Sequence, residues 1–231
     1  MALLWEHSVP LKACSSYIFV RIASVVSQLR LTDFKDDAPS EATSQKKELE
    51  LGSGVRLRPY QEEAYQAWVN KGMRGVIVAP TGTGKTVIAS YAIKTSSLPT
   101  LVIVPTERIL KTWVSALGRF GMQATAYYGR EKDLSPLTIS IYNSVIRHPE
   151  IVDRFKLVVL DEVHHAGADA FSRVLNLLDG KAVMALTATL RRSDGKHAII
   201  TAKLPVVYVL EFKVAVENGY VSQVDIVPVP A

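Results

Sequence analysis

The stretch Gly75-Val76-Ile77-Val78-Ala79-Pro80-Thr81-Gly82-Thr83-Gly84-Lys85-Thr86 decides how the chain is read. Its first residues are apolar and continuous, and it runs into the periodic segment Val87-Ile88-Ala89 through Tyr91-Ala92-Ile93. A buried strand, a Gly-rich turn and a helix in that order form the setting of a phosphate-binding loop. Glycines at 82 and 84 let backbone N–H groups converge on an anion, and the new helix adds its N-terminal donors and dipole. Pro80, Thr81, Gly82, Thr83 and Gly84 then form the cradle, Lys85 reaches the β- and γ-phosphates, and the Thr86 hydroxyl ligates Mg²⁺. Ala79 stands where that pattern carries its first Gly, and Ala is small enough for the turn.

Outward from this stretch, 231 residues suit one large domain, or one domain with a small appendage. Hydrophobic residues make up 48%, ample for a sizeable core. The formal charge of +5 is compatible with a nucleic-acid partner but is weak evidence alone. The single cysteine, Cys14, excludes an internal disulfide and points to a reducing, intracellular setting. The run Tyr17 to Leu31 is broken by Arg21, Ser24, Ser27, Gln28 and Arg30, too polar to span a membrane. No signal-peptide pattern precedes it. A soluble protein is expected, cytoplasmic, or nuclear if the source is eukaryotic.

Residues 1–31 read as a small unit, with Ile18, Phe19, Ile22, Val25, Val26 and Leu29 at helical spacing. Residues 32–54 turn to Asp, Lys, Glu, Ser and Thr and close on Leu51-Gly52-Ser53-Gly54, a linker. Residues 55–231 form the main domain. It opens with Leu57-Arg58-Pro59-Tyr60-Gln61, where Pro59 suits a first helical turn and Ala64, Ala67 and Trp68 continue a buried face. Gln61 stands out because its amide can bond an adenine edge at N6 and N7. Strands are expected at 100–105, 123–128, 137–142 (this one alternating), 156–160, 182–186 and 206–210. Helices are expected after Thr106, with Ile109, Leu110, Trp113, Val114 and Leu117 inward, over 170–178 with Gly180 as a stop, and near 197–203. Strands alternating with helices predict an α/β domain on a mostly parallel sheet.

The second signature is Asp161-Glu162, directly after the apolar Leu157-Val158-Val159-Leu160. The carboxyl end of a buried parallel strand is where ligands bind in open α/β sheets. Asp161 there can hold Mg²⁺ opposite Thr86, and Glu162 can orient or deprotonate the water that attacks a γ-phosphate. Two adjacent carboxylates beside a polyphosphate imply a divalent cation between them. His164 and His165 do not make a zinc site, since Cys14 is remote and no second His pair lies at ligand spacing. His164 reads instead as a polar contact between this site and Thr187, with His165 structural.

These segments together resemble the motor core of superfamily 2 helicases. The set is Leu57 to Gln61, Ala79 to Thr86, Val104-Pro105-Thr106, Asp161 to His164 and Thr187-Ala188-Thr189, in that order. Within the superfamily the chain is most similar to XPB-type helicases, especially archaeal ones. Asp161 to His165, Leu137 to Ser144, and Leu186 to Leu190 followed by Arg192-Ser193-Asp194-Gly195-Lys196-His197 carry that likeness. The resemblance implies a RecA-like fold of the P-loop NTPase type, with helices flanking a parallel sheet, and a DNA-dependent ATPase or helicase using ATP and Mg²⁺.

It also implies roles residue by residue. Gln61 reads adenine; Lys85 and Thr86 hold phosphates and metal; Asp161 and Glu162 ligate and hydrolyse. His164, Thr187 and Thr189 couple nucleotide state to DNA grip. Thr106, Gly129, Arg130 and Arg192 touch nucleic acid, the first three through the backbone of one strand and without base specificity. The family's Arg-Glu-Asp segment, tied to strand separation, reads Arg192-Ser193-Asp194 here, and a family Thr is replaced by Ile141. A second RecA-like lobe is the implied partner, and its arginine is worth roughly a thousandfold or more in rate. A nuclease or repair protein is a further expected partner. Residues 1–31 sit where a damage-recognition domain would be. The sequence also admits an ATP-dependent nucleic-acid-binding or regulatory module without motor activity. A restriction-type or chromatin-remodelling translocase shares the ATP site, and the residues after Thr189 argue against it.

Overall fold

In the computed structural model, residues 56–162, 168–189 and 203–222 are described. The expected small unit at 1–31, the linker at 32–54, the helix near 197–203 for all but its last residue, and His164, His165 and Arg192 lie outside them. The strands are β1 (Arg74–Val78), β2 (Thr100–Val104), β3 (Thr125–Tyr128), β4 (Glu131–Lys132), β5 (Leu137–Ile141), β6 (Leu157–Leu160), β7 (Ala182–Thr187) and β8 (Val206–Val209). The helices are α1 (Pro59–Asn70), α2 (Lys85–Ser96), α3 (Glu107–Arg119), α4 (Tyr142–Arg147), α5 (Ala168–Asn176) and α6 (Phe212–Glu217), with a 3₁₀ segment at Pro149–Arg154.

The strands form one eight-stranded sheet in the order β4-β3-β5-β2-β6-β7-β1-β8. Every pairing is parallel except the short β3–β4 hairpin at one edge. Side chains alternate strictly between the two faces, as strand geometry requires. Ile77, Val102, Val104, Val159, Met184 and Leu186 face α1, α2 and α3 through Trp68, Ile88, Leu110 and Trp113. Val76, Val78, Leu101, Ile103, Val158, Leu160, Val183 and Ala185 face α4, the 3₁₀ segment and α5 through Val145, Phe155, Phe171 and Val174. The chain moves outward from β1 to β2 and β3, then returns from β5 to β6 and β7. With right-handed crossovers, that reversal transfers the helices to the other face.

The architecture is the parallel α/β sheet that strand–helix alternation predicts, and the helix cap is where the sequence puts it. The Thr106 hydroxyl accepts from the Ile109 amide at 3.3 Å. Four details differ. Val114 is 38% exposed, because it is turned about 100° past Trp113 and leaves the apolar stripe. Tyr142 opens α4 rather than closing β5. Strand β5 is buried at its three central residues instead of alternating, since it is paired on both edges and covered on both faces. Helix α5 ends at Asn176, with Leu177 and Leu178 bonding back to Val174 and Leu175 in a closing turn before Gly180 at φ 73°. Sequence periodicity also passed over β4, α4, the 3₁₀ segment and α6, each too short for a period to register.

Strand β8 presses so closely on β1 that Gly75 has no room for a side chain. A Cβ there would lie 2.3 Å from Val207 Cγ1 and 2.9 Å from the Pro205 carbonyl oxygen. Gly118, on the solvent side of α3, meets nothing within 4 Å. Gly75→Ala is therefore expected to destabilise the fold by about 1–3 kcal/mol. Gly118→Ala is expected to stabilise it by about 0.5–1 kcal/mol. Urea unfolding midpoints of the two variants check both signs.

Candidate ATP site

Strands β2, β6, β7 and β1 are consecutive in the sheet and parallel, so their carboxyl ends emerge side by side on one edge. Those ends deliver Thr106, Asp161, Thr187 and the loop after Val78. The backbone stitches them together beyond the strands: the Ala79 amide donates to the Thr187 carbonyl at 3.0 Å, and the Asp161 amide donates to the Ile103 carbonyl at 2.9 Å.

The loop from Ala79 to Gly84 depends on its glycines. Gly82 and Gly84 sit at φ 87° and 80°, the left-handed region that other residues enter at a cost. Gly84 is the residue before α2, so the amides of Lys85 and Thr86 open the helix with no acceptor one turn back. Thr83 is buried and folds inward, its hydroxyl donating to the Pro80 carbonyl at 2.7 Å. Thr81 and Gly82 are exposed at the tip. Lys85 is buried, its Nζ donating to the Ala79 and Pro80 carbonyls at 3.0 and 3.3 Å. The lysine thus holds the loop from inside, a geometry in which an arriving anion competes with two carbonyl oxygens. Burial pushes the ammonium's pKa below the usual lysine range, while Glu162 and Asp161 pull it back up.

Gln61 belongs to the same assembly. Its Oε1 accepts from the Arg58 amide at 2.9 Å and its Nε2 donates to the Thr83 carbonyl at 3.0 Å, so the side chain ties α1 to the loop. It is buried at 4% exposure rather than solvated as a helix glutamine usually is. A Cβ on Gly84 would lie 2.7 Å from that Nε2. The Tyr60 hydroxyl donates to the same Thr83 carbonyl. The Tyr60 ring packs on Tyr220 at 4.3 Å between centroids, and the Tyr208 hydroxyl donates to Glu63 at 3.2 Å. The segment from β8 to Tyr220 therefore braces α1 from behind.

Asp161 is 6% exposed. Its Oδ2 accepts from Trp113 Nε1 at 2.6 Å and its Oδ1 from the Glu162 amide at 2.9 Å. The Tyr142 hydroxyl donates to the Asp161 carbonyl at 3.4 Å. Burial raises the carboxyl above the ordinary aspartate range; Trp113 lowers it, and the like charge of Glu162 adds to the rise. Its own burial, and then the same two acids, hold the Tyr142 phenol well above its ordinary value. Glu162 sits at φ 47°, a left-handed conformation uncommon outside glycine and found disproportionately at functional positions.

Beside this cluster the remaining expectations fall as follows. The Thr187 hydroxyl donates to the Thr189 carbonyl at 2.9 Å, and Thr189 is exposed. Thr106 is exposed beyond β2, and Gly129 (φ 52°) and Arg130 are exposed beyond β3. Both lie on the same edge as the loop, with β5 between them and β2 next to β6, the strand that carries Asp161. Trp113, Tyr60 and Tyr142 were not singled out as site residues by the sequence. The available signal for Trp113 was that it is the one polar-tipped side chain on the apolar face of its helix.

A nucleotide with Mg²⁺ fits these residues. The loop offers left-handed glycines, unengaged helix-opening amides and a lysine. The cation would find the Thr86 hydroxyl and the Asp161 carboxylate, hard oxygen donors that suit Mg²⁺. Among the described residues there is no cluster of three or more His, Cys, Asp or Glu. Magnesium in nucleotide sites is held by one or two carboxylates with the substrate's own phosphates, so the donor set matches that mode.

A family model described as "Type III restriction enzyme, res subunit" matches residues 54–192. Among curated proteins, the DNA 3'-5' translocase XPB2 of Sulfurisphaera tokodaii is 35% identical over 157 residues, covering 67% of this chain and 36% of the relative. The DNA 3'-5' helicase XPB of Kineococcus radiotolerans is 32% identical over 190 residues, covering 76% of this chain and 34% of the relative. The chain thus spans about a third of the length of these relatives. Among solved structures, the UvsW helicase of Bacteriophage T4 superposes with a TM-score of 0.56 at 21% identity, covering 68% of this chain and 60% of that one. That likeness concerns the fold.

The buried carboxylate makes a prediction about pH. Asp161 binds its proton more tightly in the folded chain than in the unfolded one, so the folded state holds more protons above pH 3.8. Stability from this group therefore falls as pH rises through the window from 3.8 to the raised folded value. Asp161→Asn removes the titration and also one of the two accepted hydrogen bonds. Thermal unfolding without divalent cation is expected to show wild type losing ground to the variant as pH rises across that window. A difference independent of pH would contradict the burial of a charged carboxylate.

Proposed function

The chain belongs to the type III restriction enzyme res-subunit family, and on that premise we propose that it is the ATP-binding lobe of an ATP-dependent DNA helicase or translocase of the XPB type. The observation that carries this reading is the convergence of the Ala79–Thr86 loop, Asp161 and Thr187 at adjacent strand ends, with Thr106 exposed one strand further along. Curated relatives named as XPB helicases and translocases support the substrate class and a setting in repair or transcription.

In this reading the residues divide the work. Gly82, Gly84 and the helix-opening amides of Lys85 and Thr86 bind the phosphates. Lys85 Nζ leaves the Ala79 and Pro80 carbonyls and turns to the β- and γ-phosphates. Gln61 keeps its hold on the loop and meets the adenine edge, so base occupancy and loop shape are linked. Thr86 and Asp161 would hold Mg²⁺, which when bound would supply positive charge against the phosphates. Glu162 orients the attacking water and takes its proton. Thr106, Gly129 and Arg130 grip DNA through the backbone of one strand, Arg192 also touches nucleic acid, and His164, Thr187 and Thr189 transmit nucleotide state to that grip. Residues 55–231 are the ATP-binding domain, with 1–31 and 32–54 an appendage and linker. A second RecA-like lobe supplies the arginine that completes hydrolysis, and a nuclease or repair protein is a further partner. The protein works where its DNA is, in the cytoplasm or in a nucleus. No described helix is long and apolar enough to cross a membrane.

Lys85→Ala is expected to weaken Mg-ATP binding roughly 10- to 100-fold, the cost of one hydrogen bond to a charged partner. Hydrolysis by the 231-residue chain alone is expected to be slow and little stimulated by forked DNA. Equilibrium binding of a fluorescent ATP analogue and a phosphate-release assay check the two statements. Unimpaired binding by the variant, or robust unwinding by this chain unaided, would overturn the reading.

A further inference from the structure

We propose that Trp113 is a positioning residue for the ATP site, its indole N–H aiming the Asp161 carboxylate at the metal ion. This rests on the ATP-site reading above and assigns a role to a residue that reading does not use. The two tryptophans among the described residues, both buried, supply the contrast. Trp68 and Trp113 are 0% and 1% exposed, and each must find an acceptor for its N–H. Trp68 satisfies that need with a backbone carbonyl, that of Val183 at 2.8 Å. Trp113 is bonded to a carboxylate oxygen at 2.6 Å, a short charge-assisted contact.

The geometry suits aiming rather than simple satisfaction. With Trp113 on Oδ2 and the Glu162 amide on Oδ1, each carboxylate oxygen has one donor among the described residues, and the plane of the group is set from both ends. Each oxygen still has a lone pair for a water or a cation. The Tyr142 hydroxyl on the Asp161 carbonyl fixes the backbone beneath. Trp113 itself is locked between Leu110 and Leu117 on the buried stripe of α3, so the donor cannot swing away with the ligand. Partners that orient a metal-ligating carboxylate affect metal affinity by about 10–100-fold when removed. The apolar ring alone, as in phenylalanine, would fill most of the same space without aiming anything.

Two measurements test this on the whole 231-residue chain. In a ¹⁵N-resolved spectrum, the Trp113 indole proton is expected downfield and slow to exchange. It is expected to move when a non-hydrolysable ATP analogue binds with Mg²⁺ but not when it binds in EDTA, while the Trp68 indole stays in place under both conditions. In Trp113→Phe, the Mg²⁺ concentration that half-saturates nucleotide binding is expected to rise about tenfold, with affinity in EDTA unchanged. An indole indifferent to Mg²⁺, or a variant whose affinity drops equally with and without the metal, overturns the assignment. The first measurement needs no variant and stands if Trp113→Phe does not fold. A wild-type chain that binds no Mg-nucleotide would sink the ATP-site reading and this inference together. Normal binding with an unchanged Mg²⁺ requirement in the variant would sink this inference alone.

Discussion

The arrangement rests on one electrostatic constraint: a carboxylate, Asp161, held at the end of a strand that is buried on both faces. Burying a charge is costly unless hydrogen bonds repay part of it. Here the repayment comes from Trp113 and the Glu162 amide, and it is incomplete, because the carboxyl is still pushed above its ordinary range. Lys85 is pushed the opposite way by the same burial and is bonded to carbonyls of its own loop. Neither charge is fully accommodated by the chain. In the proposed reading, a polyphosphate with a divalent cation would supply an anion for the lysine and a cation for the aspartate, the two charges that burial disfavours at this edge.

The strand order is what makes such a site possible. Had β6 and β7 not been inserted between β1 and β2, the loop after β1 and Asp161 would not emerge as near neighbours. The same order brings Thr106 beside Asp161, through the pairing of β2 with β6. Thr106 caps helix α3, which carries Trp113 two turns later, so one rigid element links the exposed end of β2 to the buried carboxylate. The back of the site is equally fixed: Gln61 and Tyr60 hold the Thr83 carbonyl from α1, and Tyr220 and Tyr208 hold α1 from the far end of the domain.

Much of this was legible in the residues. Continuous apolar runs such as Leu101 to Val104 and Leu157 to Leu160 mark strands buried on both faces, and they proved to be neighbours in the sheet. The spacing of Gly82, Gly84, Lys85 and Thr86 needs no tertiary knowledge, since it is a local device of backbone and helix end. What could not be read were properties created by packing. Val114 looks apolar and faces solvent because helix phase, not hydrophobicity, decides its exposure. Gln61 has a helix glutamine's usual solvated sequence context and is buried because the loop lies on it. Strand pairing order, which brings residues distant in sequence to one edge, has no local signature at all.

Trp113 is the sharpest instance of that limit. In the sequence it is one apolar position among Ile109, Leu110, Val114 and Leu117, and every rule of periodicity assigns it to the core. That assignment is right and incomplete. The ring does fill the core, but its single polar atom reaches a carboxylate that belongs to the site, 48 positions along the chain. A side chain can thus serve packing with one end and chemistry with the other, and only the pairing of β2 with β6 brings the second end into view. Where a buried tryptophan takes a backbone carbonyl, as Trp68 does, its loss leaves an ordinary unsatisfied acceptor. Where it takes the carboxylate proposed to hold the metal, as Trp113 does, its loss is expected to change the direction in which that group points, so that the proposed consequence moves from stability to binding.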